Sequence, residues 1–314
     1  MLKTTKFVSK LNIRLMKLHQ NISTGDPSSQ KQSFVDINMK VLCCRYWLLD
    51  LWDCHDMVFP FWRIYWNRNM GGVLTHLEDE IEMDPDHMYI ISPFTSFSSH
   101  YKKRIRYKTG IHVSGRHLIV SDEENELESE SLIHFFLHFN LGIPFDNVFP
   151  GIFKIQINNV FQKKLEYLTH QLKKNNTAFK MTSSLRIQSF VMEVLSSIGP
   201  ELWKSVNTDS RVLKVIRFIE NNIGKKNSNT ELAEVINMAP NSFSRLFKEN
   251  MGVTPHHFLQ KRKVAYACEL FEYTDKTIEE MAALLGFSDR YHFTRVFTAI
   301  TGVSPGSYRT RILF

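Results

Sequence analysis

The pattern of apolar and polar positions along the chain changes character at about Ile155. Before that point, short apolar or alternating runs are separated by turn residues, which is typical of strands in a barrel or sandwich. Strands are predicted over residues 61–66, 88–91, 116–120 and 132–141. In the last run, one face is fully apolar, so His134 and His138 on the opposite face are expected to point to solvent.

After Ile155 the spacing of apolar residues becomes helical. One stripe of a helix is formed by Phe161, Leu165, Leu168 and Leu172. A second helix is predicted over residues 182–197, ended by Gly199-Pro200, and from Arg211 onward short helical segments alternate with tight breaks. The predicted fold class is therefore α+β and multidomain, with a strand-rich first part and an all-α last part.

Changes in composition indicate where the domains begin and end. The polar run from Ser23 to Ser33 contains Gly25 and Pro27, which predicts a flexible N-terminal segment over residues 1–35. A polar stretch before Asp209 predicts a linker. Two domains follow from these boundaries, one over residues 36–205 and one over residues 209–314.

The C-terminal domain contains an internal repeat. Residues 232–255 align with residues 281–305 when one residue is inserted in the second copy. Identical residues then coincide: Ala233 with Ala282, Phe243 with Phe293, Arg245 with Arg295, Phe247 with Phe297, Gly252-Val253 with Gly302-Val303, and Pro255 with Pro305. Each copy has the pattern of a short helix, a turn, a second helix and a glycine stop, which predicts two helix-turn-helix units.

The second helix of each copy has a core-facing side and a polar side. The polar side carries Asn241, Ser244, Arg245 and Lys248 in the first copy, and Arg290, Tyr291, Thr294 and Arg295 in the second. Arginine can form paired hydrogen bonds with guanine, and hydroxyl groups reach bases or phosphates. These eight residues are predicted to contact double-stranded DNA in the major groove, against the alternative of an ordinary solvated helix face.

A long helix is predicted to connect the two units. It begins at Pro255, where the missing N–H costs nothing, and runs to about Tyr273. A rigid connection of this kind suits two successive major-groove faces, about 10 bp apart. For Lys261, Arg262 and Lys263 on this helix, contact with phosphates and a solvent-facing charge cluster both remain open.

The second copy also resembles a known signature. The matching residues are Thr277-Ile-Glu-Glu-Met-Ala282, Gly286-Phe-Ser-Asp289, Phe293, Arg295, Phe297, Gly302, Ser304-Pro305 and Tyr308-Arg309. Over about residues 209–311 the chain resembles the AraC/XylS family of transcription regulators. The resemblance implies two helix-turn-helix units joined by a long helix. It places the family's base-reading residues on the positions predicted above, Lys248 excepted.

A few positions depart from the pattern of that family. Asn237 and Ala239 replace the usual Gly and Ser around the first turn, which predicts altered docking of the first unit. Lys263 stands where an Arg is more common. Thr298 replaces a frequent Lys, equivalent to Lys248 of the first copy, which predicts one phosphate contact fewer and a lower salt dependence of binding.

The N-terminal part resembles the cupin-like barrel of ligand-responsive members of that family, through residues 61–67, Gly71-Gly72, His76 and Ser92-Pro93-Phe94. The resemblance implies an effector-binding and dimerisation domain over residues 36–205, a small-molecule effector such as a sugar, a homodimer, and contact with RNA polymerase. The candidate effector-binding residues are Trp62, Tyr65, Trp66, His76 and Phe94, because aromatic faces suit a small organic ligand. The alternative that these side chains only fill the barrel stays open.

Composition narrows the classes of function. The net charge of +7 fits a polyanionic partner, and four cysteines are too few for a disulfide framework, which indicates a reducing compartment. The spacing of Cys43, Cys44, Cys54 and His55 matches no zinc pattern. The sequence has neither a membrane-length apolar stretch nor a serine-elbow or phosphate-loop motif. A cytoplasmic protein is expected, without enzymatic activity, metal or cofactor.

The leading hypothesis is an effector-responsive transcription regulator that binds DNA, with activation and repression both open. One alternative is a regulator whose N-terminal domain binds another protein. A second alternative is a metal-dependent cupin enzyme with a DNA-binding tail. It is disfavoured because His76-Leu-Glu78 is not the His-x-His set that such enzymes use.

Overall fold

The N-terminal part of the protein is a curled antiparallel sheet. The computed structural model describes residues 37–102, 107–127, 131–200, 202–203 and 209–312, so the predicted flexible segment over residues 1–35 lies outside the described residues. Within the described ranges the strands are β1 (Lys40–Val58), β2 (Trp62–Asn67), β3 (Gly72–His76), β4 (Asp79–Glu82), β5 (His87–Ile91), β6 (Ser96–Tyr101), β7 (Ile111–His117), β8 (Leu132–Asn140) and β9 (Ile152–Gln156). Their order is β4-β3-β6-β1-β8-β2-β5-β9, with β7 paired to β1.

Strand β1 curls the sheet because it changes partners along its length. Residues 40–49 pair with β8, residues 47–54 with β7, and residues 53–58 with β6. The register shifts within each of these pairings, and such bulges bend a strand and increase its twist. The sheet therefore forms a half-barrel with an enclosed inner face and an outer face.

Helices cover the outer face of the sheet. They are α1 (Glu124–Leu127), α2 (Asn159–Lys174) and α3 (Met181–Ser196). Phe190 of α3 packs edge-on against Phe135 of β8 and Phe161 of α2, with ring centroids 6.2 and 6.3 Å apart. The two helices predicted for this region are confirmed, the second displaced by one residue at each end.

The solvent orientation predicted for His134 and His138 is wrong. His134 is 3 % exposed, its Nδ1 lies 2.6 Å from Oδ1 of Asn67, and its ring packs 4.7 Å from Trp52. His138 is half-buried, with Nδ1 3.2 Å from Sγ of Cys43. The alternation separated the two faces of β8 correctly, but the curl of β1 covers the second face as well.

The strand predicted over residues 116–120 is also displaced. The pairing of β7 with β1 ends at His117 opposite Trp47. Immediately afterwards, the backbone N–H of Ile119 donates to Oδ2 of Asp122 at 2.7 Å. This contact turns the chain, so residues 119 and 120 leave the sheet although they are apolar.

The C-terminal part is helical throughout its described residues. Its helices are α4 (Ser210–Asn221), α5 (Asn229–Glu234), α6 (Pro240–Met251), α7 (Pro255–Tyr273), α8 (Ile278–Leu284), α9 (Arg290–Thr301) and α10 (Pro305–Ile312). The predicted connecting helix is confirmed as α7. One core joins α4, α5 and α6 to the start of α7, and a second joins the rest of α7 to α8, α9 and α10.

The second of these cores also contains side chains of the sheet. Leu42 and Phe61 are part of it, and the ring of Phe59 lies 5.7 Å from that of Tyr308 on α10. On the rim, Nζ of Lys40 lies 2.7 Å from Oε2 of Glu269 on α7. The second helix-turn-helix unit is therefore packed directly against the sheet.

Candidate nucleic-acid interface and effector cavity

The two copies of the repeat form turns of the same geometry. In the first, the N–H of Met238 donates to the carbonyl of Ala233 at 3.0 Å, and in the second that of Phe287 donates to Ala282 at 2.9 Å. The residue before each donor has left-handed backbone, Asn237 with φ 51° and Gly286 with φ 65°. Asparagine tolerates this conformation better than most residues with a side chain, so the replacement at Asn237 preserves the turn.

Matching caps begin the first helix of each unit. The side chain of Ser228 accepts from the N–H of Glu231, whose carboxylate accepts from the N–H of Ser228 in return. Thr277 and Glu280 form the same reciprocal pair at the start of α8. Because each pair satisfies two otherwise unpaired backbone donors, the sequence defines these helix starts locally.

The second helices begin differently. Asp289 accepts from the N–H of His292 at 2.7 Å and caps α9, whereas Ala239 at the same position of α6 has no side-chain oxygen to do so. Pro240 opens α6 instead. Ala239, one of the two departures predicted to alter docking of the first unit, therefore leaves α6 without a side-chain cap.

Each exposed helix is anchored by a pair of buried phenylalanines one turn apart. Phe243 and Phe247 of α6 are fully buried, and Phe247 packs 5.3 Å from Phe258 of α7. Phe293 and Phe297 of α9 are equally buried, with Phe297 packed 5.9 Å from Phe271 at the other end of α7. Both helices are thus fixed on the connecting helix, each presenting its polar side outward.

The predicted DNA-contacting residues lie on these two polar sides. Six of the eight side chains are exposed and two, Ser244 and Thr294, are half-buried. Arg245, Lys248 and Arg295 form no ion pair with any residue that the structure describes. Arg290 donates to the hydroxyl of Tyr291 at 3.0 Å. Both surfaces therefore present arginine to solvent at the equivalent position.

Two of the three cations of α7 form contacts inside the protein, so neither alternative left open holds for Arg262 and Lys263. Arg262 donates to both carboxylate oxygens of Glu220 on α4, at 2.7 and 2.9 Å. Lys263 is 5 % exposed and donates to the carbonyl of Lys225 at 3.0 Å, and burial lowers its pKa to about 8. Lys261 lies 4.1 Å from the ring centre of Phe94. These contacts tie the first unit, α7 and the sheet together.

A cavity of about 210 Å³ lies on the inner face of the curled sheet. Its wall consists mainly of aromatic, aliphatic and sulfur-containing side chains from β1, β2, β7 and β8. Val303 and Tyr308 of the C-terminal domain complete the wall. The polar side chains that reach it include Arg45, Arg63, His134 and His138, and none of the described residues of its wall is a carboxylate.

Of the five predicted effector-binding residues, Tyr65 lines this cavity. Trp62 and Trp66 lie in the core on the outer face, where Nε1 of Trp62 donates to Oδ1 of Asp146 at 3.0 Å. His76 is half-buried with Nδ1 2.7 Å from the carbonyl oxygen of Ser96, and Phe94 lies under Lys261. The structure therefore does not bring the five together.

Sequence reasoning missed Arg63, which lines the cavity two residues from Tyr65. A signal for it existed, because alternate residues of a strand share a face. Phe61, Arg63 and Tyr65 line the cavity, whereas Trp62, Ile64 and Trp66 belong to the outer core. Applying the period of two to β2 would have separated Tyr65 from the two tryptophans.

Burial determines the ionisation of the cavity groups. It raises the pKa of Tyr65 to about 12 and lowers the pKa of His134 to about 3. The pKa of His138 is also lowered by burial, and the positive charge of Arg63 adds to that effect. These side chains are neutral at pH 7, so Arg63 and Arg45 supply the positive charge of a wall that is otherwise largely uncharged.

Two features are absent from the described part of the chain. No cluster of three or more His, Cys, Asp or Glu side chains there has the geometry to hold a metal ion. None of the helices in the same ranges combines the length and apolar character needed to cross a membrane.

The C-terminal part of the chain matches a known domain family, and about half of the chain matches known transcription regulators. A family described as "Helix-turn-helix domain" matches residues 232–311. Similar relatives include the uncharacterized HTH-type transcriptional regulator YfiF of Bacillus subtilis, 29% identical over 172 residues, which are 47% of this chain and 54% of the relative. The HTH-type transcriptional activator RhaS of Mannheimia succiniciproducens is 29% identical over 54% of this chain and 63% of its own length. The chain thus spans about half to three fifths of these relatives.

Among solved structures, ToxT from Vibrio cholerae is similar over 88% of this chain and 98% of its own, with a TM-score of 0.52 and 11% identity. ToxT has also been solved with (E)-4-(8-methylnaphthalen-1-yl)but-3-enoic acid and with an unsaturated fatty acid bound. This likeness concerns the fold, a cupin-like half-barrel followed by helix-turn-helix units. Residues 232–311 therefore form a helix-turn-helix domain of the AraC type.

Proposed function

We propose that the protein is a transcription regulator that binds specific DNA sequences through α6 and α9. The observation that carries the proposal is the pair of equivalent arginines, Arg245 and Arg295, on two anchored helices of the same geometry. Asn241, Ser244 and Lys248 surround the first, and Arg290, Tyr291 and Thr294 surround the second. Side chains of these types read base edges and phosphates in the major groove.

The connection between the two units supports reading of a single composite site. The Arg262–Glu220 pair holds α4 to α7, and Lys263 holds the loop after α4 at its Lys225 carbonyl. Two helices fixed in this way suit two successive turns of the major groove, about 10 bp apart. The proposed target therefore has two sequence blocks at that spacing for each protomer.

Selection from a randomised duplex pool by the full chain tests this function. A motif with two blocks is expected, and Arg245→Ala and Arg295→Ala should each relax preference within a different block, by about 1–3 kcal/mol. Lys108→Ala, which removes an exposed cation from the loop before β7 of the sheet domain, is the control and should change neither block. Wild-type affinity and sequence preference in both reading-helix variants would exclude this mode of binding.

We further propose that the cavity in the sheet domain binds a small organic effector. Its mainly apolar wall favours an apolar molecule over the sugar suggested by resemblance, because a sugar needs many hydrogen-bonding partners. ToxT, which shares this fold, has been solved with small organic molecules bound, and this supports binding of a small molecule by the present chain. Of the predicted pocket residues, Tyr65 is retained in this proposal, while Trp62, Trp66, His76 and Phe94 are not.

The protein is proposed to act as a homodimer through α2 and α3. Val160, Met181 and Leu185 on these helices are 50%, 74% and 56% exposed, and a dimer interface there would cover them. Light scattering should give twice the mass of one chain for the wild type and the mass of one chain for Leu185→Glu. A monomeric wild type would exclude the dimer.

Contact with RNA polymerase, a cytoplasmic location and a role in binding rather than catalysis are also part of the proposed function.

A further inference from the structure

The cavity contains a buried positive charge whose hydrogen-bonding capacity is incompletely used. Arg63 on β2 is 3 % exposed, and its buried Nε has no hydrogen-bond partner within the described part of the chain. The guanidinium lies over the rings of Phe59, Phe61 and Phe97, at 3.7, 4.7 and 5.2 Å from their centres. Aromatic faces stabilise a cation, but they leave the N–H groups in the plane of the guanidinium without acceptors.

No acidic residue compensates this charge in the described structure. The ionisable groups that interact favourably with Arg63 are Tyr65, Tyr308, Cys43 and Cys54, and burial lowers the pKa of Arg63 itself. The contrast with Arg262 is direct, because that buried arginine has both oxygens of Glu220 within 2.9 Å. An isolated buried charge is unfavourable unless something of opposite charge joins it.

The wall around Arg63 indicates which kind of ligand would complement the guanidinium. A guanidinium matches a carboxylate through two parallel hydrogen bonds. The surrounding aromatic and sulfur-containing side chains suit an apolar body attached to that carboxylate. At about 210 Å³, the cavity is smaller than the ~300–1,000 Å³ usual for drug-sized ligands, so the body is a short chain or a single ring.

We propose that the cavity binds a small monocarboxylate with an apolar body, and that Arg63 is the residue that selects the anionic group. This inference rests on the proposed effector role of the cavity and gives that effector a chemical class. It is independent of Arg245 and Arg295, so the DNA-binding proposal can fail or succeed separately.

Matched acids and alcohols test the selection of charge. Binding of octanoate and octan-1-ol, and of 3-phenylpropanoate and 3-phenylpropan-1-ol, is measured by calorimetry on the full chain. At least one acid is expected to bind tenfold or more tightly than its alcohol. Arg63→Met should abolish this ratio while alcohol binding persists, and Arg45→Met, which removes the other arginine of the wall, should preserve it.

Three results would overturn the inference: equal binding of each acid and its alcohol, an unchanged ratio in Arg63→Met, or no binding of any of the acids. If Arg63→Met does not fold, Arg63→Lys provides the second variant. Lysine keeps the positive charge but lacks the planar guanidinium, so a reduced but measurable preference for the acid is expected. Full retention or complete loss of the preference would contradict the proposal. DNA binding measured on the same preparations without ligand separates failure of this inference from failure of the proposed function.

Discussion

Gly286, in the turn of the second helix-turn-helix unit, packs against the carbonyl of Gly224 so closely that a Cβ on Gly286 would lie 2.2 Å from that oxygen. Gly224 belongs to the loop after α4, so this contact joins the first unit to the second. The left-handed φ of 65° at Gly286 also favours glycine. Two independent constraints therefore act on one position.

Gly286→Ala is accordingly expected to lower the free energy of unfolding by about 1–3 kcal/mol, from backbone strain together with the clash. Urea unfolding followed by circular dichroism measures the change. Gly306→Ala is the control, because a Cβ there meets nothing within 4 Å and the residue lies in α10. The control should be neutral or slightly stabilising, and an equal loss in both variants would contradict the explanation.

Ala239→Ser should stabilise the protein, because α6 lacks the side-chain cap that Asp289 gives to α9. A serine oxygen at this position can accept from a first-turn N–H, which is worth about 0.5–2 kcal/mol. Thermal or urea unfolding measures the gain. Ala283→Ser, an exposed position inside α8, is the control and is expected to cost a few tenths of a kcal/mol. No gain at position 239 would mean that Pro240 already defines the helix start.

Glu220→Gln is expected to destabilise the protein by roughly 1–3 kcal/mol, because it leaves the largely buried guanidinium of Arg262 without its anion. The side chains of this pair are 36% and 12% exposed. Glu279→Gln removes the partner of Arg290, a 3.9 Å pair whose side chains are more than half exposed, and should change stability by at most about 0.5 kcal/mol. Similar losses for the two variants would show that burial does not distinguish these pairs.

Thr298→Lys is expected to raise affinity for DNA and to steepen its dependence on salt. The new cation stands where Lys248 stands in the first unit, and one added phosphate contact changes the slope of log K against log salt by about 0.9. Thr109→Lys adds the same charge in the exposed loop before β7 of the sheet domain and is the control. An identical slope in the two variants would show that only net charge matters.

Stability is expected to fall with decreasing pH because of His134. Burial lowers the pKa of His134 to about 3 from its ordinary value of 6.5, so the unfolded chain takes up the proton first as the pH falls below 6.5. The contribution is complete above pH 6.5 and is lost toward pH 3, with a slope approaching about 1.4 kcal/mol per pH unit. Unfolding at pH 5 and pH 7 should show a smaller difference for His134→Gln than for the wild type, with the exposed His170→Gln variant as control.

The sequence by itself determined the helix-turn-helix units because their signals are local. Ser228 with Glu231, Thr277 with Glu280, and the phenylalanine pairs act within one or two turns of helix, where spacing along the chain decides contact. Even the difference between the two units, Ala239 at the position equivalent to Asp289, can be read from the aligned sequences of the two copies. The long helix after Pro255 followed in the same way.

Only the tertiary structure decided which side chains are buried and which distant residues contact each other. The alternation in β8 separated two faces, but the bulged path of β1 decided that His134 lies in the interior. In the sequence, Arg63 is not distinguished from other strand residues, and only the curl of the sheet buries it away from carboxylates. Arg262 was a candidate for phosphate contact in the sequence, and only the structure shows that it pairs with Glu220 of α4. Such pairings join residues far apart in the chain, so register, curvature and packing determine them, and local spacing does not carry that information.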